Sequence, residues 1–90
     1  MAITWDEAKR RQTLEERGLD FADATLVFAG RNVTLPDERQ DYGETRSITA
    51  GFLRGCFVVV VWMPRDDGRR IISMRHGHAD EKAYYEEQMG

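Results

Sequence analysis

The apolar positions change their spacing along the chain. Up to Gly30 they recur at helical intervals, and from Asn32 to Arg75 they alternate or run unbroken, as strand residues do. "ITW" starts a short strand. Thr4-Trp5-Asp6-Glu7 fits a capping box, in which a hydroxyl and a carboxylate satisfy free amides at a helix start, so a first helix is expected from Trp5 or Asp6 to Arg17. Gly18 ends it, because glycine takes the left-handed conformation without a steric penalty. Asp20 then caps a second, short helix carrying Phe21, Ala24, Thr25 and Phe28 on one face and ending at Gly30. "NVTL" reads as a strand closed by Pro36, and "DERQDYGE" as a polar loop. In "TRSITAGFL", Arg46, Ile48, Ala50 and Phe52 fall on one side and Thr45, Ser47, Thr49, Gly51 and Leu53 on the other, which suits a strand with one wet face. Arg54-Gly55 forms a tight turn into "CFVVVVWM", a β-branched run expected to be a central strand covered on both faces. Pro64 to Gly68 is a turn, "RRIISMR" a further strand, and Ala79 to Gln88 a last helix.

This order predicts an α+β fold: two N-terminal helices and a C-terminal helix gathered on one face of a mainly antiparallel sheet of four to five strands. A length of 90 residues allows one domain, 1–90, and one small core. No repeat, linker or low-complexity segment interrupts it. No apolar run approaches the roughly 18 residues of a membrane helix, and "MAITWDEAKRR" lacks the apolar centre of a signal peptide, so a cytoplasmic protein without a membrane partner is expected. Cys56 is the single cysteine and lies in an apolar run, where it reads as core filling.

Charge refines the picture. Charged residues make up 32%, above the usual quarter or so, and the net charge of −3 speaks against a generic polyanion binder. The distribution is uneven: residues 1–46 carry seven cationic and ten anionic side chains, residues 54–75 five cationic and two anionic. Arg65, Arg69 and Arg70 stand at or beside one turn, Arg75 ends the last strand, and Arg46 and Arg54 bracket the preceding strand. Eleven of the thirteen cations are arginine, whose fork matches phosphate oxygens. His76 and His78 in "HGH" are poor metal ligands, because two alternating histidines in a glycine-bearing turn do not converge; no metal and no cofactor are expected.

Beyond these patterns, "ITWDEAKRRQTLEERGLDFADATLVF", followed by "GETR", a valine-rich strand ending in an arginine, and "RRIISMR…DEKAYY", resembles the BrnT toxins of bacterial type II toxin–antitoxin pairs over nearly the whole chain. Trp5-Asp6 with Lys9, Gly18 with Phe21 and Ala24, Glu44 with Arg46, Arg65, Ile71-Ile72-Ser73 with Arg75, then Glu81 and Tyr85 occur in the family's order. The resemblance implies a fold similar to RelE toxins and a metal-independent ribonuclease that inhibits translation. It also implies a cognate BrnA-like antitoxin in a heteromeric complex dimerised through the antitoxin, with operator DNA bound only through it. The sequence departs from the family's usual residues at Thr13, Glu16, Arg17, Met74 and His76-Gly77.

Cleavage of RNA by its own 2′-hydroxyl needs a base, cationic donors for the phosphorane, and an acid for the departing oxygen. Arg65 and Arg75 are candidates for the donors, Lys9 for a phosphate contact beside the sheet, Glu44 for the base, and Tyr85 for the acid or a stacking platform. Arg46, Arg54, Arg69, Arg70 and His76 are candidate RNA contacts. Trp5 reads as a pin between the first helix and the sheet. Two alternatives stand beside the enzyme: a catalytically weak module that binds an antitoxin and modulates operon repression, and an unrelated nucleic-acid-binding domain, for which more positive charge is expected.

Overall fold

Helix α1 (Glu7–Arg17) starts at Asp6, whose carboxylate accepts the Ala8 amide at 2.9 Å, and stops at Gly18, with φ 69° and its amide donating to the Leu14 carbonyl. The cap is thus Asp6, not the Thr4 of the expected capping box. Thr4 is taken up in strand β1 (Ile3–Thr4), so its hydroxyl is committed to an extended segment before the helix begins. The computed structural model describes residues 2–38 and 43–90. Asp20 accepts the Ala22 amide and opens a single 3₁₀ turn (Phe21–Asp23) that leads into α2 (Ala24–Ala29), so the expected second helix is present in two pieces.

Strands β2 (Asn32–Pro36), β3 (Ser47–Leu53), β4 (Cys56–Arg65) and β5 (Gly68–His76) form an antiparallel meander, and β1 adds in parallel beside β5, giving the order β1-β5-β4-β3-β2. Arg54 and Gly55, with φ 49° and 83°, make the two-residue hairpin whose twist matches the strands it joins. The second hairpin is tighter than the expected Pro64–Gly68 turn. Strand β3 begins opposite Trp62, so Pro64 pairs only with β5 among the described strands and its missing N–H breaks no ladder. Val61 faces Ser73 while Trp62 faces Ile71, so Ile72 is an extra residue, a bulge in β5. The polar loop expected over 37–44 lies partly outside the described residues.

Successive residues of β4 point to opposite sides. Val58 and Val60 pack with Leu19, Phe21, Ala24, Val27, Ile71 and Met74 beneath α1 and α2; Val59 and Val61 pack with Ile48, Ala50 and Phe57, against Tyr85 and Met89 of α3 (Ala79–Met89). The helices therefore sit on both faces, not one. The expected wet face of β3 is absent for the same reason: α3 covers the Ile48 and Ala50 side, and Val27 of α2 lies against Gly51 on the other. Each fully buried aliphatic side chain is worth about 1.5–3 kcal/mol, which favours a helix over each side. Cys56 is exposed, at the start of β4 beside the hairpin tip, and is not core filling. No described helix is long and apolar enough to cross a membrane.

Candidate functional site

Strand β5 carries four of the ten candidate residues, Arg69, Arg70, Arg75 and His76, and the pleat sends them in different directions. Arg75 faces Val59 and so belongs to the α3 side. Its Nη1 and Nη2 donate to the two carboxylate oxygens of Glu81 at 2.8 and 2.7 Å, and Glu81 Oε1 also accepts the His78 amide at 3.0 Å. The Arg75 fork is the main reason the Glu81 carboxyl is held down at about 2, and the His78 amide adds to it against the opposing effect of burial. Tyr85 lies one helical turn beyond Glu81 on α3, packed against Phe57 at 6.2 Å between ring centroids and against Tyr84 at 5.2 Å. Arg75 and Tyr85 thus share the α3 side of the sheet, with Glu81, one helical turn before Tyr85, clamping Arg75.

The other candidates are spread around it. Arg65 stands at the opposite end of β4, six residues beyond the position that faces Arg75, which is about 20 Å of strand. Arg70 faces Met63 near that end. Neither Arg65 nor Arg70 has an ion pair among the described residues. Glu44 is engaged with Arg46, Oε1 accepting from Nε at 3.2 Å and Nη2 at 3.1 Å. Arg54 pairs with Asp23 at the tip of the first hairpin. Arg69 turns to the α1–α2 side, where its Cζ lies 4.0 Å from the Phe28 ring centroid and 5.0 Å from that of Trp62.

Lys9 lines a groove of about 240 Å³ between α1 and the outer edge of β5, with Gln12, Thr13, Glu16, Arg17, Phe21, Ile72 and Ser73. Thr13, Glu16 and Arg17 share this groove, being one helical turn apart. Arg17 is tied to β5 at two points: its Nη1 donates to the Met74 carbonyl at 2.9 Å, and the His76 ring nitrogen lies 3.3 Å from the Arg17 carbonyl oxygen. Trp5 does pin the start of α1, its ring against the core and its Nε1 donating to Glu7 at 3.0 Å.

Sequence reasoning assigned no role to Glu81, and none to the Phe28–Trp62 pair under Arg69. An acidic residue in the first turn of the last helix is visible in the sequence; its partner across a loop is not. The indole of Trp62 is fixed by its Nε1 donating to buried Thr49 at 2.8 Å, and its edge-to-face contact with Phe28 is 5.8 Å between centroids.

Among the described residues no three His, Cys, Asp or Glu side chains gather as a metal site would require. Chemically, the arrangement offers fixed guanidinium donors and a phenol on a sheet face, and a cationic groove beside it. No curated protein sequence matches the chain. The model of the family described as "Ribonuclease toxin, BrnT, of type II toxin-antitoxin system" matches residues 5–81, and the chain belongs to this family of ribonuclease toxins, which act with an antitoxin partner.

Proposed function

We propose that this chain is an endoribonuclease whose reaction centre is the Arg75–Glu81–Tyr85 cluster on the α3 side of the sheet. Its donors act on the phosphate while the neighbouring 2′-hydroxyl attacks, without a metal. The observation that carries this reading is the double hydrogen bond from Arg75 to Glu81, because a guanidinium already fixed in place meets a phosphorane without reorganising. Tyr85 supplies the proton for the departing 5′-oxygen or a stacking surface. Lys9 holds phosphate from the groove beside β5. Arg65, about 20 Å away along the strands, and Arg70 and Arg46 towards the same end hold flanking nucleotides of an extended strand rather than the reacting phosphate. Glu44, engaged with Arg46 towards that far end, is out of reach of the reacting phosphate, so the 2′-hydroxyl gives its proton to solvent.

The same reading carries a BrnA-like antitoxin that neutralises the toxin, brings the operator DNA and dimerises the complex, and loss of translation as the effect of the free toxin. A second reading, an antitoxin-binding module with little activity, is favoured by one observation: two candidate catalytic residues, Arg75 and Glu44, are both ion-paired within the chain.

Induction of the chain alone, with RNA ends mapped by primer extension, tests both. The first reading expects growth arrest and cleavage that chelator does not stop, products ending in 2′,3′-cyclic phosphate, a loss of about 100-fold or more in Arg75→Ala, and a loss of only a few-fold in Arg65→Ala. Folded chain that cuts nothing leaves the module; full activity in Arg75→Ala removes the cluster from the chemistry.

A further inference from the structure

Arg69 is a cation that the ribonuclease reading does not use. It is half-buried, it has no carboxylate partner among the described residues, and its Nε is the one buried side-chain nitrogen or oxygen among them without a hydrogen bond. The guanidinium rests on Phe28 and Trp62 and borders a cleft of about 200 Å³, lined also by Ile3, Thr25 and Ala29. The platform beneath it is fixed, since Trp62 is tied to Thr49 and Thr49 in turn to Thr34 at 2.7 Å. A permanent charge, its solvation reduced on one side by two rings and matched by no anion, is a site waiting for one.

The surroundings define which anion. Arg69 is the only cation lining the cleft, whereas nucleic-acid phosphate is held where several cations converge. The nearby acidic side chains Asp20 and Asp23 belong to the same helical layer and already engage Arg10 and Arg54. Ile3, Phe28 and Ala29 suit a methylene stem, and Leu26, 49% exposed on the neighbouring surface of α2, offers apolar contact beside it. A planar carboxylate matches the guanidinium fork. We propose that the Arg69 cleft receives an aspartate or glutamate side chain, flanked by an apolar residue, from the partner polypeptide of this toxin. The site lies on the α1–α2 side of the sheet, opposite the Arg75 cluster. It rests on the family's having an antitoxin and not on the RNA reading of the other face.

The Nε–Hε resonance of Arg69, followed by ¹⁵N nuclear magnetic resonance on the full chain, reads the site directly. The peptides acetyl-Leu-Glu-Leu-amide and acetyl-Leu-Gln-Leu-amide and a short single-stranded RNA serve as probes. The glutamate peptide is expected to move the resonance saturably. The glutamine peptide should bind about tenfold or more weakly, because it cannot make the charge-assisted pair. Ala29→Leu, which fills the cleft mouth on an exposed helical position without touching the arginine, should weaken the glutamate peptide by a similar factor while the amide spectrum elsewhere stays native. Equal response to both peptides, no response to either, or a stronger response to the RNA overturns the proposal, the last returning Arg69 to nucleic-acid binding.

Discussion

Arg69 and Arg75 lie six residues apart on the same strand and live in opposite circumstances. Arg75 sits on the α3 side with a carboxylate locked into its fork at 2.7 and 2.8 Å; Arg69 sits on the α1–α2 side with two aromatic rings and, among the described residues, no carboxylate. A bulge at Ile72 lies between them and re-aims the strand. The difference is one of second partners. The loop after β5 returns α3 over one face with Glu81 in its first turn, whereas α2 covers the other face with Phe28 and Ala29, which have no charge to give. On the proposed reading, the internally neutralised arginine is held in place for chemistry and the unneutralised one is left for a binding partner.

Removing the clamp breaks the comparison most directly. Glu81→Ala takes away the carboxylate that fills the fork of half-buried Arg75. With side-chain exposures of 33% and 25%, the pair is shielded more than an ordinary surface bridge. A loss of about 1–2 kcal/mol in urea unfolding is expected. Cleavage should fall with kcat affected more than KM, because the guanidinium is then no longer fixed before the transition state. Unchanged stability and unchanged kcat would show that the clamp holds nothing the reaction needs.

Acid sharpens it. Folding lowers the Glu81 carboxyl from 4.5 to about 2, and Glu7, bonded by Arg10 and Trp5, likewise to about 2. The folded state therefore favours the charged form, so the stability these groups add is complete above about pH 5 and is lost as the pH falls towards 2. Glu7 is about half exposed and screened by solvent, so the larger share belongs to Glu81. In urea titrations from pH 6 to 2.5, Glu81→Gln should flatten the decline, Glu7→Gln should flatten it less, and an Arg69 variant should keep the slope of the parent chain. A parent slope retained in Glu81→Gln contradicts the assignment.

Much of the scaffold of this comparison is legible in the residues themselves. The valine run, the Arg54-Gly55 turn and Gly18 specify strand, hairpin and helix end through steric preferences local to them. The separation of the faces is not legible in that way. Whether α3 returns over Ile48 and Ala50 or joins the other helices depends on the direction of the chain after His76, where Gly77 lies against Phe57, and no periodicity encodes that. Cys56 misleads because the apolar run begins at Phe57, one residue later, just beyond the hairpin tip. The arginine cluster is legible as composition but not as geometry: residues counted together between 54 and 75 are divided by the pleat and spread over about 20 Å of strand. Only the Thr13, Glu16 and Arg17 wall is readable in advance, because helical spacing places those three on one face.

The smallest expected effect is the most discriminating. Arg69→Met keeps the length of the side chain and its packing on Phe28 and Trp62, and a thioether contacts aromatic rings favourably. It loses the cation–π attraction, worth about 0.5–1 kcal/mol, and it removes the buried Nε–H that has no acceptor, which recovers about 1 kcal/mol or more of desolvation cost. The two nearly cancel, so the urea midpoint should move by less than the equivalent of about 1 kcal/mol in either direction. A loss clearly above that would mean Arg69 already has an anion in the free protein, and the contrast with Arg75 would collapse into two versions of the same clamp. A near-zero change, alongside the loss expected for Glu81→Ala, would instead show that the protein keeps Arg69 for something other than its own stability.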